Sequence, residues 1–334
     1  MIPTKKQALK GLALAVAATL LAACSPAGVP STEAGEPSSS SGQPRLAFVS
    51  PAASLDFLAY MAAAARKTGE ENGAIVDVTD GKFEIAKNAE LITTAVAQGY
   101  DAILTTGSDG VIPAVEEANA AGIPVVNFDA RINGGEFVAW VGSDHEAMGR
   151  QAGEYMREQI GDSQAKILIV GFTVSSTQAR MKGFRSAFDG ATNVTIDEVM
   201  PANMDSVEES QKLMNDVLVR KPKGEIDYIF ATGQGPALGS LAAMETAGRN
   251  EIKVVSCDSE DGQFDAMRKS SSYLATVAQD PITIGTKSIE AALAGIKGEK
   301  QGDVPVPAIL VTKDGLDQYT ADWAAAKASV EAWK

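Results

Sequence analysis

The chain has 334 residues, 45% of them hydrophobic and 22% charged, too apolar for disorder and too polar for a multi-span membrane protein. Its length is that of about two domains. With 43 acidic against 29 basic residues, a net charge of −14, one His and two Cys, it has no basic surplus to neutralise phosphates. It also has little for a His-centred triad or a Cys/His zinc site, so neither a nucleic-acid partner nor a metal is expected.

In chain order, Lys5, Lys6 and Lys10 precede an apolar run over 12–23, and no acidic residue occurs before Glu33. A basic head and an apolar stretch this short predict a secretory signal over 1–23 and not a spanning helix. The run closes on Leu21-Ala22-Ala23-Cys24, which resembles the lipobox of bacterial lipoproteins. The resemblance implies cleavage before Cys24 and a diacylglycerol on its thiol, tying the protein to a membrane. Loss of the three lysines takes the net charge from −14 to −17, and Cys257 becomes the one thiol without a lipid. Residues 25–44 hold thirteen Ser, Pro or Gly and predict a flexible tether with a mean reach of roughly 25 Å.

From residue 45 short β-rich runs alternate with helical patterns. Strands are expected at 46–50, 74–79, 102–106, 124–129, 138–141, 166–171, 195–200, 228–232, 253–258 and 274–278. Helices are expected near 55–71, 83–98, 111–121, 145–159, 176–189, 207–219, 236–247 and 281–295. Runs apolar throughout, such as Ile167-Leu168-Ile169-Val170, suit parallel strands covered on both faces. An internal repeat runs through them. Asp101-Ala102-Ile103-Leu104-Thr105-Thr106-Gly107 matches Asp227-Tyr228-Ile229-Phe230-Ala231-Thr232-Gly233, and each copy continues through an Ala-Gly pair to a strand closing on Asp, at Asp129 and Asp258. Two copies of one unit predict an α/β fold of two similar Rossmann-like lobes with parallel sheets. Ligands of such sheets lie beyond the strands' carboxyl ends, so the two aspartates are expected to converge on one cleft.

On these motifs the chain from about Arg45 to Thr312 resembles the periplasmic sugar-binding proteins of the ribose/galactose type, partners of ABC transporters. The resemblance implies a type I periplasmic binding fold, with three hinge strands and closure on a monosaccharide. It also implies a monomer that serves an ABC permease with its ATPase and has neither cofactor nor enzymatic activity. Its domains are then the signal at 1–23, the lipidated Cys and tether at 24–44, an N-terminal lobe of 45–143 plus 280–304 and a C-terminal lobe of 144–279 plus 305–319. A helix at 320–334 lies beyond the family core, and its Trp323 and Trp333 are expected to dock on its own lobe. Carried over by position, the ligand residues are Phe57 for stacking, Asp129 and Asp258 as carboxylates, Arg180 in Ala179-Arg180-Met181-Lys182-Gly183-Phe184, and Gln279 near the hinge.

The chain departs from the ribose pattern at several positions. Ala130 stands in place of a second arginine, with Arg131 next to it as a substitute. Gly233 replaces an asparagine, with Gln234 beside it. Met204 replaces an aromatic, and Ser54 and Asp56 replace an asparagine and a second phenylalanine. Ser54, Asp56, Thr106, Trp140, Met204 and Gln234 are therefore further candidates. Ionised carboxylates suit vicinal hydroxyls because each accepts two or more charge-assisted bonds, and an arginine both donates and neutralises them.

Three other functions share parts of this pattern: a sensor of the same fold serving a chemoreceptor or sensor kinase, a repressor with this lobe architecture, and a hydrolase using the paired aspartates. The signal, the tether and the acidic charge oppose the repressor. Gly233-Gln234-Gly235 lacks the third glycine of a dinucleotide fingerprint, and Asp314–Asp322 does not form a calcium loop. His145-Glu146, without a second His, reads as a solvated first-turn pair.

Overall fold

The computed structural model describes residues 42–201 and 206–334. The expected signal, Cys24, nearly all of the tether and Met204 lie outside the described residues. The ten expected strands form with ends within one residue of expectation. The first set is β1 (Arg45–Ser50), β2 (Ile75–Asp80), β3 (Ala102–Thr105), β4 (Val125–Phe128) and β5 (Ala139–Gly142). The second is β6 (Ala165–Val170), β7 (Val194–Val199), β8 (Tyr228–Ala231), β9 (Lys253–Cys257) and β10 (Tyr273–Ala278). Helices α1 (Asp56–Glu71), α2 (Ile85–Ala97) and α3 (Ile112–Ala120) belong with the first set. Helices α4 (His145–Ile160), α5 (Ser175–Ser186), α6 (Val207–Arg220), α7 (Gln234–Thr246) and α8 (Asp261–Lys269) belong with the second. Then follow α9 (Pro281–Ile296), β11 (Gly302–Pro305), β12 (Ile309–Thr312) and α10 (Leu316–Ala328).

The strands make two six-stranded sheets, ordered β11-β5-β4-β3-β1-β2 and β12-β10-β9-β8-β6-β7. All pairings are parallel except β10 with β12. The first five strands of each sheet follow the same doubly wound order, so the repeat read in the sequence is the third and fourth strands of each sheet. Alternate side chains of one strand enter cores on opposite faces: Leu46 and Phe48 pack with Leu58, Met61 and Ile284, while Ala47 and Val49 pack with Ile92 and Val115. Ile167 and Ile169 likewise pack with Met148 and Phe184, and Leu168 and Val170 with Met214 and Phe264. Both faces of both sheets are covered, which is why the strands read as continuous apolar runs.

The chain passes between the sheets three times, from β5 into α4, from β10 into α9 and from β11 into β12. Helix α4 lies against β9 and β10, whereas α9 lies against β3, β4 and β5. Asp144 and Asp280 cap the helices that begin at the first two crossings, accepting from Ala147 N (2.9 Å) and Thr283 N (2.9 Å).

Three elements were missed by the sequence reading: α8, β11 and β12. Gly302-Asp303-Val304-Pro305 carries strand breakers at both ends and is tolerated only because β11 is a sheet edge. The terminal helix begins at Leu316, earlier than expected, and does not dock on one sheet alone. Trp323 packs with Phe264 and Met267 and donates to Asp261 (3.2 Å), while Val330 packs on Ala63 and Ala64 of α1. Trp333 Nε1 donates to Glu70 of the same helix (2.7 Å).

Candidate functional site

The fourth strand of each sheet ends in an aspartate whose backbone is left-handed, φ 53° at Asp129 and 83° at Asp258. Few residues other than glycine adopt that region, and Asp is among those that do. The cause is the same on both sides. Asp129 N donates to Val141 O (2.8 Å) and Asp258 N to Val277 O (3.0 Å), which keeps the strand paired one residue past its end. The carbonyl of each is then caught from the same position of the next strand, by Trp140 Nε1 (3.0 Å) and Thr276 Oγ1 (2.7 Å). Both aspartates thus stand where the repeat placed them, beyond the carboxyl ends of their sheets.

Around Asp258 the charge is matched. Arg180, 4% exposed, donates from Nη1 and Nη2 to its two carboxylate oxygens (3.0 and 2.8 Å) and from Nη1 to Thr232 O (2.6 Å). Burial is the largest single influence and works against the guanidinium charge, but the acidic groups around it, Asp258 first and Asp129 among them, together raise Arg180 above its ordinary value. Gln279, 2% exposed, donates from Nε2 to Asp258 Oδ1 (3.0 Å) and leaves its own Oε1 buried without a partner. The neighbouring Cys257 is fully buried, and burial pushes its thiol up to about 12.

Around Asp129 the charge is not matched. Its Oδ1 is buried with no hydrogen bond, and the nearest basic group is His145 Nε2 at 3.6 Å. The other ring nitrogen of His145 accepts from Arg180 Nε (3.4 Å), so a polar chain runs from Asp129 through His145 and Arg180 to Asp258 and Gln279. Helices α4 and α5 bring His145 and Arg180 together by packing backbone against backbone. A Cβ on Gly149 would stand 1.8 Å from Arg180 O, and one on Gly183 would stand 1.8 Å from Glu146 O.

The other expected residues are placed less centrally. Phe57 is half-buried in the first turn of α1, against the core that holds Leu58 and Phe128. Thr106 is buried and accepts from Ala130 N (3.1 Å), bracing the turn after Asp129. Trp140 is 7% exposed and holds the Asp129 carbonyl. Arg131 does not join the polar chain: its guanidinium lies 3.7 Å from the Trp140 ring centroid and forms a bidentate pair with Asp303 (3.1 and 2.7 Å). Ser54 and Asp56 are exposed, and Lys334 Nζ donates to Asp56 (2.9 Å). Gln234 opens α7 half-buried.

The residue the sequence reading missed is His145. The solvated member of that pair is Glu146, which takes Lys182 Nζ at 2.7 Å; His145 is 7% exposed. The available signal was its place as the chain's single His directly after a strand that crosses between lobes. Among the described residues no group of three His, Cys, Asp or Glu side chains is placed to hold a metal, and no helix is long and apolar enough to cross a membrane.

Residues 46–300 match the periplasmic binding protein domain. The ribose import binding protein of Escherichia coli K12 is 30% identical over 272 residues, covering 80% of this chain and 90% of that one. The ribose import binding protein of Bacillus subtilis is 30% identical over 253 residues, covering 74% and 80%. In fold, the chain is similar to an ABC transporter solute binding protein of Bacillus halodurans solved with bound myo-inositol. That structure has a TM-score of 0.78 at 21% identity, and the match covers 85% of this chain and 99% of that one. With its paired sheets, matched aspartates and these relatives, the chain belongs to the periplasmic binding protein family and is a binding protein, not an enzyme.

Proposed function

We propose that this protein is the exported solute-binding component of an ABC transporter, capturing a monosaccharide or similar polyhydroxylated molecule between its lobes and handing it to a membrane permease. The observation that carries this is the polar chain that links Asp129 of one sheet to Asp258 of the other through His145 and Arg180, with Asp129 Oδ1 and Gln279 Oε1 buried and unpartnered. Open buried acceptors cost about 1–3 kcal/mol each, and a ligand hydroxyl from either side satisfies them. Asp129, Arg180, Asp258 and Gln279 bind the hydroxyls, and Phe57 covers a ring face. The relatives that import ribose and the neighbour solved with myo-inositol support a neutral polyol as the ligand.

The lobes are 45–143 with 280–304 and 144–279 with 305–319, and the ligand favours the closed state because only there does it touch both. The monomeric body is tethered through residues 25–44 to a lipid on Cys24.

Thermal-shift measurement against D-ribose, D-allose, myo-inositol, nucleosides and amino acids tests the ligand class. A bound polyol at a hundredfold its Kd adds about 2.7 kcal/mol of stability. A nucleoside or amino-acid response with none from the polyols sinks the proposal. Asp129→Asn and Asp258→Asn each weaken binding tenfold or more; wild-type affinity in both removes these residues from the site. Cys24→Ala shifts the protein from the membrane to the soluble fraction, and continued anchoring refutes the lipid.

A further inference from the structure

His145 has one nitrogen committed and one open. Nδ1 accepts from Arg180 Nε at 3.4 Å, and in a neutral imidazole the nitrogen that accepts leaves the proton on the other. The Nε2–H faces Asp129 Oδ1 at 3.6 Å, too far for a hydrogen bond, and neither atom has another partner. The ring is nine-tenths buried, so water does not compensate freely. One donor and one acceptor, from opposite lobes, therefore stand without a partner 3.6 Å apart.

A single group completes both only if it accepts and donates at once. An oxygen at about 2.8 Å from each atom closes a triangle on that 3.6 Å base. A hydroxyl does this, accepting from His145 Nε2–H and donating to Asp129. A carboxylate satisfies the imidazole but meets Asp129 as a like charge, and an ammonium satisfies Asp129 but presents a donor to a donor.

We propose that His145 is a ligand-binding residue that shares one ligand hydroxyl with Asp129, and that the ligand is in consequence an uncharged polyol at this point. The inference rests on the sugar-binding function proposed above and names a contact that function does not require.

Titration calorimetry on the whole protein with D-ribose, D-allose and myo-inositol as probes tests it. His145→Leu keeps bulk without a donor, His145→Asn reaches only the Nδ1 side, and His145→Gln carries an N–H to the Nε2 side. For the probe that binds wild type, Leu and Asn weaken affinity tenfold or more, and Gln recovers it to within about threefold. Recovery by Gln separates a lost donor from a lost fold. If Leu and Asn bind as wild type, His145 is not a binding residue while the function stands. Binding of D-glucosamine or D-glucuronate as tightly as the neutral probes overturns the shared hydroxyl. If wild type binds none of the neutral probes, the function falls and the inference with it.

Discussion

Replacing Arg180 with Met removes the cation of a buried pair while keeping an unbranched side chain in the same channel. Three kinds of contact go at once: two bonds to the Asp258 carboxylate (3.0 and 2.8 Å), one to Thr232 O (2.6 Å) and one to His145 Nδ1 (3.4 Å). Asp258 keeps Gln279 Nε2 at 3.0 Å, but a carboxylate with 18% exposure has lost its counter-charge. Breaking a buried ion pair from one side costs about 3–5 kcal/mol, and the residual exposure places this one near 3 kcal/mol. At about 2–4 °C per kcal/mol for a body of this size, the melting temperature falls by about 6–12 °C. The companion variant is Arg180→Met with Asp258→Asn. Asn tolerates the left-handed backbone at 258, still accepts from Gln279 and carries no charge, so the double variant regains about 2 kcal/mol. Calorimetric melts of wild type, both single variants and the double variant close the cycle. A loss below about 1 kcal/mol in Arg180→Met, or no recovery in the double variant, refutes the claim that an unpaired buried charge is the cause.

Gly183→Ala drives a methyl into Glu146 O and separates α5 from α4, lowering stability by about 1–3 kcal/mol and weakening ligand binding. Gly315→Ala, where a Cβ meets nothing nearer than 4.0 Å, is the neutral control in the same urea melts, and equal behaviour of the two refutes the close approach. Asp77 is held below its ordinary carboxyl value of 3.8 first by the Tyr100 hydroxyl and then by Arg45, against the effect of burial. Because its folded value is the lower one, its contribution is full above 3.8 and is lost as pH falls through the folded value. Tyr100→Phe therefore makes the stability curve shallower below about pH 4, and an unchanged acid limb counts against it. Deleting 329–334 takes Val330 and Trp333 off α1 and costs about 2 kcal/mol in the same melts; an unchanged midpoint shows that the tail adds nothing.

What the sequence made legible, and what it hid, follows from the range of the forces involved. Strand positions, the repeat and both aspartates were readable because parallel strands write themselves as continuous apolar runs and a duplicated unit repeats its own punctuation. Arg131 was not readable, since its partner Asp303 lies 172 residues away on an edge strand whose Gly and Pro conceal it. Asp56 was hidden likewise by Lys334, 278 residues further on. His145 was misread for a different reason. A polar residue in a first helical turn is ordinarily solvated, whereas here α4 packs closely on α5 through Gly149 and Gly183 and His145 is buried.

The repeat places two aspartates in equivalent backbone positions, yet the surroundings it does not duplicate give them different electrostatic roles. Asp258 is already neutralised by Arg180 and oriented by Gln279, so the second lobe presents an acceptor that is ordered before a ligand arrives. Asp129 has one imidazole N–H near it and no cation within bonding distance, so the first lobe presents an acceptor that is incomplete. Under the proposed function, a ligand therefore docks on the preorganised side at little cost in ordering, and gains most from the group that completes Asp129. That gain exists only when both lobes touch the same molecule, which couples recognition to closure without a further moving part.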